Sequence, residues 1–210
     1  MTHSRAHSVR NGIRLVKTTI ERKSKFGGKP NLPDCIEWPL NPKGGPLDFL
    51  AQIHCPDLPN GTPLPSEGTL VFFYDLERSP WGHNQIRERP YWRVIYSSDT
   101  LWPSPRSNPR RGRNKVTREC FLDFKSIDQN EKSGKEEFVP YHQMLGKPYC
   151  IQSDNMAPGK LLLLQLDSDY GEKHSPGWMW GDVGIMYFWI KPNDLKIKRF
   201  DRVAVYVECC

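Results

Sequence analysis

Nowhere does this chain approach the 18 or so consecutive apolar residues of a membrane-spanning helix, which removes helical membrane proteins from the reading. Its first ten residues, MTHSRAHSVR, are polar and charged with no apolar centre, unlike a secretory signal. A cytoplasmic protein is the expectation. Six cysteines are present, but Cys35, Cys55, Cys120, Cys150, Cys209 and Cys210 have neither close paired spacing nor a His-Cys cluster of zinc type. They read as buried free thiols, and Cys209-Cys210 as the end of an alternating strand, DRVAVYVECC, rather than a lipidation signal. Equally missing are a G-x-S-x-G elbow, a glycine-rich phosphate loop, an H-E-x-x-H pair and a dinucleotide fingerprint. The sequence therefore points away from an enzyme, and it calls for no cofactor and no metal.

What is abundant is turn chemistry. Nineteen prolines and sixteen glycines among 210 residues break the chain into short segments and leave no room for long helices. Between the turns lie short apolar and aromatic runs, the composition of strands. Residues 161–166 and 185–190 are two such runs, and they enclose a loop rich in Asp, Gly, His and Trp. Residues 68–74, 91–96 and the terminal alternating stretch read as further strands, while residues 140–144 suit a short helix ended by Gly146.

The same arrangement occurs twice. FLAQI at residues 49–53 corresponds to LLLQL at 162–166, with Gln52 and Gln165 in the same place, and GTLVFF at 68–73 corresponds to GIMYFW at 184–189. Gly28-Lys29-Pro30 likewise matches Gly146-Lys147-Pro148. Periods this long exceed those of solenoids. The expected fold is α+β and strand-rich, a single compact domain of two internally duplicated halves with a mainly antiparallel sheet and a cleft at their junction. Residues 1–22 read as a basic N-terminal arm and 23–210 as the domain. Its first half is 23–125 and its second 139–210, joined by a charged linker at 126–138.

The ordered series SKFGGKPNLP, EWP, PLDFLAQI, EGTLVFFYD, HQMLGKP and LLLQLDSD followed by WGDVGIMYF resembles the YwqG-like family, a bacterial domain of unknown function. The resemblance covers residues 23–209 and implies a compact, mainly antiparallel fold of duplicated origin with no established reaction. It also brings an association with toxin and immunity loci.

Charge is unevenly placed. The formal net charge is +6, and the segment 106–118 alone carries Arg106, Arg110, Arg111, Arg113, Lys115 and Arg118 with no acid. This Arg-rich insertion suits phosphate backbones by counterion release, or is simply a solvated loop. In the loop after residue 166, Asp167, Asp169, Glu172 and Asp182 are joined by Tyr170, Trp178 and Trp180. Aromatic and acidic side chains on a loop held between strands suit a binding surface. The alternative is that the acids cap turns and the tryptophans fill the core. Asp167, Ser168, Asp169, His174 and Asp182 could supply oxygen and nitrogen ligands to a hard cation, but the spacing of a calcium loop is missing. Gln52 and Gln165, amides within apolar strands, must find hydrogen bonds, either in bracing loops or in a ligand. The leading functional reading is a non-enzymatic, immunity-like binding protein that recognises a protein partner, such as a basic toxin, through Gln52, Gln165, Asp167, Asp169, Tyr170, Glu172, Trp178, Trp180 and Asp182. Nucleic-acid or nucleotide binding through the Arg-rich segment is the alternative, and an enzyme with its site in the cleft between the halves is the third.

Overall fold

The computed structural model describes residues 12–83, 85–98, 103–109, 117–127, 139–152, 156–171 and 173–209. Among the described residues ten strands make one sheet in which every pairing is antiparallel. They are β1 (Gly12–Thr18), β2 (Lys25–Phe26), β3 (Asp48–His54), β4 (Thr69–Tyr74), β5 (Trp92–Ser97), β6 (Cys120–Ile127), β7 (Gln143–Leu145), β8 (Leu161–Asp167), β9 (Ile185–Ile190) and β10 (Ala204–Glu208). Their order across the sheet is β10-β9-β8-β7-β1-β6-β2-β3-β4-β5. The helices α1 (Gln85–Glu88) and α2 (Pro192–Lys196) are one turn each, as the density of Pro and Gly requires.

Residues 12–18, read from sequence as part of a basic N-terminal arm, instead form β1, the strand that joins the two sides of the sheet between β6 and β7. The reason is their period of two: Ile13 and Leu15 point into the core, while Arg14 and Val16 face outward. A second correction concerns residues 140–144. The expected short helix is absent because residues 143–145 pair with β1 and β8 as β7. Ser126 and Ile127, assigned to the linker, extend β6 against β1; the rest of that linker lies outside the described residues.

The sheet curls until it is nearly a barrel. Phe72 of β4 and Phe188 of β9, far apart in strand order, meet edge to face with ring centroids 5.2 Å apart. The seam between β5 and β10 is bridged by side chains and loops: Trp92 Nε1 donates to the Val203 carbonyl at 3.0 Å, and Val207 N–H to the Trp81 carbonyl at 3.0 Å. Gly82 lies so close to this seam that a Cβ there would sit 1.9 Å from the Val205 carbonyl oxygen. The interior is filled from both sides by residues such as Phe26, Leu50, Phe72, Leu164 and Phe188. Two smaller apolar clusters lie on the outer faces, one around Trp38, Phe49 and Phe73 and the other around Leu162, Tyr187 and Trp189.

The hairpins β3–β4 and β8–β9 have matching registers. Phe49 pairs with Phe73, a bulge follows, and Gln52 pairs with Val71; Leu162 pairs with Trp189, a bulge follows, and Gln165 pairs with Tyr187. Among the described residues no helix is long and apolar enough to cross a membrane.

Candidate functional site

At one end of the barrel, where β1 and β6 join the two sides of the sheet, four strand termini bring together charged side chains. Lys17 follows Ile13 and Leu15 on the inner face of β1. Its Nζ donates to both oxygens of Asp169, at 2.9 and 2.8 Å. Asp169 is fully buried just beyond β8, and its Oδ2 also lies 3.1 Å from His142 Nε2. The other ring nitrogen of His142, Nδ1, accepts from the Asp167 backbone N–H at 3.1 Å. That bond fixes the tautomer: Nδ1 is the acceptor, so Nε2 carries the hydrogen and donates it to Asp169.

The electrostatics follow from burial. Desolvation opposes ionisation of Asp169, but the hydrogen bonds from His142 and Lys17 outweigh it and hold the carboxyl below the usual range. For His142, burial is the larger effect and pushes its pKa down despite Asp169, so the imidazole is neutral. The result is one buried ion pair with a neutral imidazole as its third member.

Cys120, on the inner face of β6, is pushed up to about 11, chiefly by burial, with Lys17 opposing and Asp169 adding to the rise. It is a thiol at neutral pH and a poor nucleophile. Lys17 and Cys120 also line a cavity of about 300 Å³ together with Thr18, Glu119, Phe121 and His174. Both oxygens of Asp169 and both nitrogens of His142 are engaged, so the arrangement braces the barrel end and offers no general base in this state.

The loop between β8 and β9 is anchored to this network. Asp169 forms a bridge with Trp178, and Ser175 Oγ donates to the Asp169 carbonyl at 2.6 Å. Ser168 Oγ donates to the Gly184 carbonyl and accepts from Trp180 N–H. Arg118 N–H donates to the Pro176 carbonyl, which ties the loop to the segment before β6.

Several expected binding residues thus lie inside. Asp167 is buried and accepts from the backbone N–H groups of Tyr141 and Ser168. Trp178 is buried edge-on to Phe26, its Nε1 donating to the Asp167 carbonyl at 3.0 Å. Trp180 is buried between Tyr74 and Trp178. Gln52 and Gln165 are fully buried and brace loops. Tyr170 and Asp182 are exposed, and Glu172 lies outside the described residues.

In the basic segment, Arg106 donates to the carbonyls of Pro33 and Ile36, so its guanidinium fastens the loop before β3. Arg118 is exposed, while Arg110, Arg111, Arg113 and Lys115 lie outside the described residues.

Sequence reasoning missed Lys17, hidden in what looked like a basic arm. The available signal was the period of two that runs Ile13, Leu15, Lys17. It did not bring His142 beside Asp169 either, because the two are remote in sequence.

A comparison with curated proteins gives no match. A family model matches residues 24–209, which include nine of the ten strands and every member of the buried network except Lys17. The chain belongs to the family described as a domain of unknown function (DUF1963).

Proposed function

We propose that the protein works by binding a protein partner, and that the contact surface is the outer rim of the loop between β8 and β9. The observation that carries this is Val183, whose φ of 55° puts a β-branched side chain in the left-handed region. Such a conformation costs about 1–2 kcal/mol. The residue is 46% exposed, so only part of its side chain can pack within the protein to offset that cost. Strain retained at an exposed apolar residue is accounted for if the side chain is used from outside.

The rest of the rim agrees. Tyr170 and Met179 are about half exposed, and the ring of Trp81 lies against Gly181. The loop is held from beneath by Ser168, Ser175 and the Gly184 N–H bond to the Trp180 carbonyl, which limits the ordering cost of association. Aromatic residues and Met are the types enriched at such contacts. Asp182, exposed among them, and Glu172 favour a basic partner. A toxin-binding, immunity-like role in a bacterial cytoplasm, as a YwqG-like protein, rests on the SKFGGKPNLP-to-WGDVGIMYF motif series.

The test is a variant carrying Met179→Lys, Asp182→Lys and Val183→Lys. Its melting temperature should match the wild type. A protein recovered with the wild type from its native host should bind the purified wild-type chain directly and fail to bind the variant. Undiminished binding to the variant would place the contact elsewhere.

We also infer that the two sides of the sheet descend from one duplicated unit. The support is the shared hairpin register and bulge position, together with the glutamine bonds: Gln52 holds Asn31 and Lys23, and Gln165 holds Tyr149 and Tyr141. Aligning the halves of many relatives against each other checks this, and an absence of half-to-half similarity beyond these residues would defeat it.

A further inference from the structure

The β8–β9 hairpin carries a like-charge pair at its open end. Lys160 lies one step before β8 and Lys191 one step after β9, and the pairing of Leu161 with Ile190 sets the two lysines opposite each other. Burial first, and then the charge of Lys191, lower the pKa of Lys160. Like charges facing each other across a strand pair destabilise it. In β3–β4 the corresponding positions, one step beyond the pair Asp48 and Tyr74, are Leu47 and Asp75, and no such repulsion arises.

Two more lysines continue the cationic surface along α2 and the turn that ends it. Lys196 closes α2 and Lys198 follows, both exposed, and Ile197 between them is 62% exposed. The Lys198 ammonium is held over Tyr96, 5.0 Å from the ring centroid and donating to the hydroxyl at 3.3 Å. Among the described residues no carboxylate is paired with Lys160, Lys191, Lys196 or Lys198. The arginines of the same segment are treated otherwise: Arg199 pairs with Asp201 at 2.8 Å and Arg202 with Asp194 at 3.0 Å. The planar donors that best suit phosphate backbones and bases are thus consumed within the fold. Compact ammonium groups remain, set around one exposed aliphatic side chain.

We propose that this end of the barrel docks on an acidic phospholipid bilayer, with Ile197 entering the headgroup region and Lys160, Lys191, Lys196 and Lys198 set against the lipid anions. Cations around an exposed apolar side chain suit an interface in which apolar burial and attraction to anionic lipid act together. Lipid anions also relieve the repulsion between Lys160 and Lys191. This surface is independent of the loop surface proposed above. That loop follows β8 and precedes β9, at the opposite end of the same hairpin, so the docked protein holds it away from the bilayer.

The full chain is sedimented with vesicles of phosphatidylcholine alone, and with vesicles in which about a third of the lipid is phosphatidylserine, at low and at raised salt. It should bind only the acidic vesicles and be released as salt rises. Lys191→Gln and Lys196→Gln should each weaken partition about fivefold, and together about 25-fold. Ile197→Asn, which leaves the charge unchanged, should weaken it as well. All three side chains are exposed, so the melting temperatures should match the wild type. No binding to acidic vesicles at low salt, or undiminished binding by the double lysine variant, would overturn the assignment. Wild-type binding by Ile197→Asn, with the lysine variants losing a labelled oligonucleotide as readily as vesicles, would overturn it too and leave a surface for polyanions in general.

Discussion

Gln52 and Gln165 make the same pair of hydrogen bonds on opposite sides of the sheet. Each Nε2 donates to a backbone carbonyl, of Lys23 at 2.6 Å and of Tyr141 at 3.1 Å. Each Oε1 accepts from the N–H that follows a Gly-Lys-Pro turn, of Asn31 at 2.8 Å and of Tyr149 at 3.0 Å. An amide in an apolar strand is thus consumed in fixing a loop that has no regular structure of its own.

Replacing either glutamine with Leu keeps the volume but orphans a donor and an acceptor. Each variant should lose about 1–3 kcal/mol in urea unfolding, and the double variant should lose the sum, because the sites share no partner. A loss confined to one of the two would show that only that loop depends on its glutamine.

Lys17→Met removes the cation from a carboxylate that is fully buried. The expected cost is about 3–5 kcal/mol, the magnitude for leaving a buried charge unpaired. Adding Asp169→Asn should recover part of it, since the remaining amide is neutral and can still bond His142. A guanidinium double-mutant cycle reads the coupling, and strict additivity would mean that the pair is not a unit.

Stability should fall in acid in two stages. His142 has a lowered folded pKa, so below about pH 6.5 the unfolded chain takes up a proton that the folded one refuses. Its contribution is complete above that pH and declines as the pH falls below it. Asp169, also lowered, contributes above the ordinary Asp value near 3.9 and is lost as the pH falls through its folded value. Melting temperatures between pH 7.5 and 4.5 should therefore drop with decreasing pH. His142→Gln should flatten that slope; an equal slope in the variant would assign the acid limb to other groups.

Val183→Gly should raise stability by about 0.5–1 kcal/mol, the relief of a left-handed β-branched residue less the entropy glycine adds to the unfolded chain. If Val183 serves a partner, the same variant should bind that partner more weakly. Higher stability with full binding would make the strain incidental.

The sequence alone determined the strands that are most fully buried. Residues 161–166 and 185–190 are uninterrupted apolar runs bounded by turns, and they appear as β8 and β9 with almost those limits. Membership of a family of domains of unknown function was equally legible, because an ordered string of motifs survives as local sequence. Strand β1 was harder to see, since Arg14 and Lys17 dilute its alternation; their hydrocarbon stems and charged ends find places only once Tyr141 and Asp169 are beside them. Residues 140–144 suited a helix locally, but β1 and β8 claim 143–145 as a strand, and tertiary pairing overrides a weak local preference.

The same holds for the acidic loop. Composition left Asp167, Asp169, Trp178 and Trp180 open between a binding surface and turn caps with core tryptophans, because sequence shows charge and ring but not the direction in which a side chain points. Only the closed sheet decided that Lys17 and His142, distant along the chain, reach Asp169, the one pairing its charge and the other donating a hydrogen bond to it, and left Tyr170, Met179 and Val183 outside. Burial of a charge is settled by its partner, and the partner is chosen by the fold.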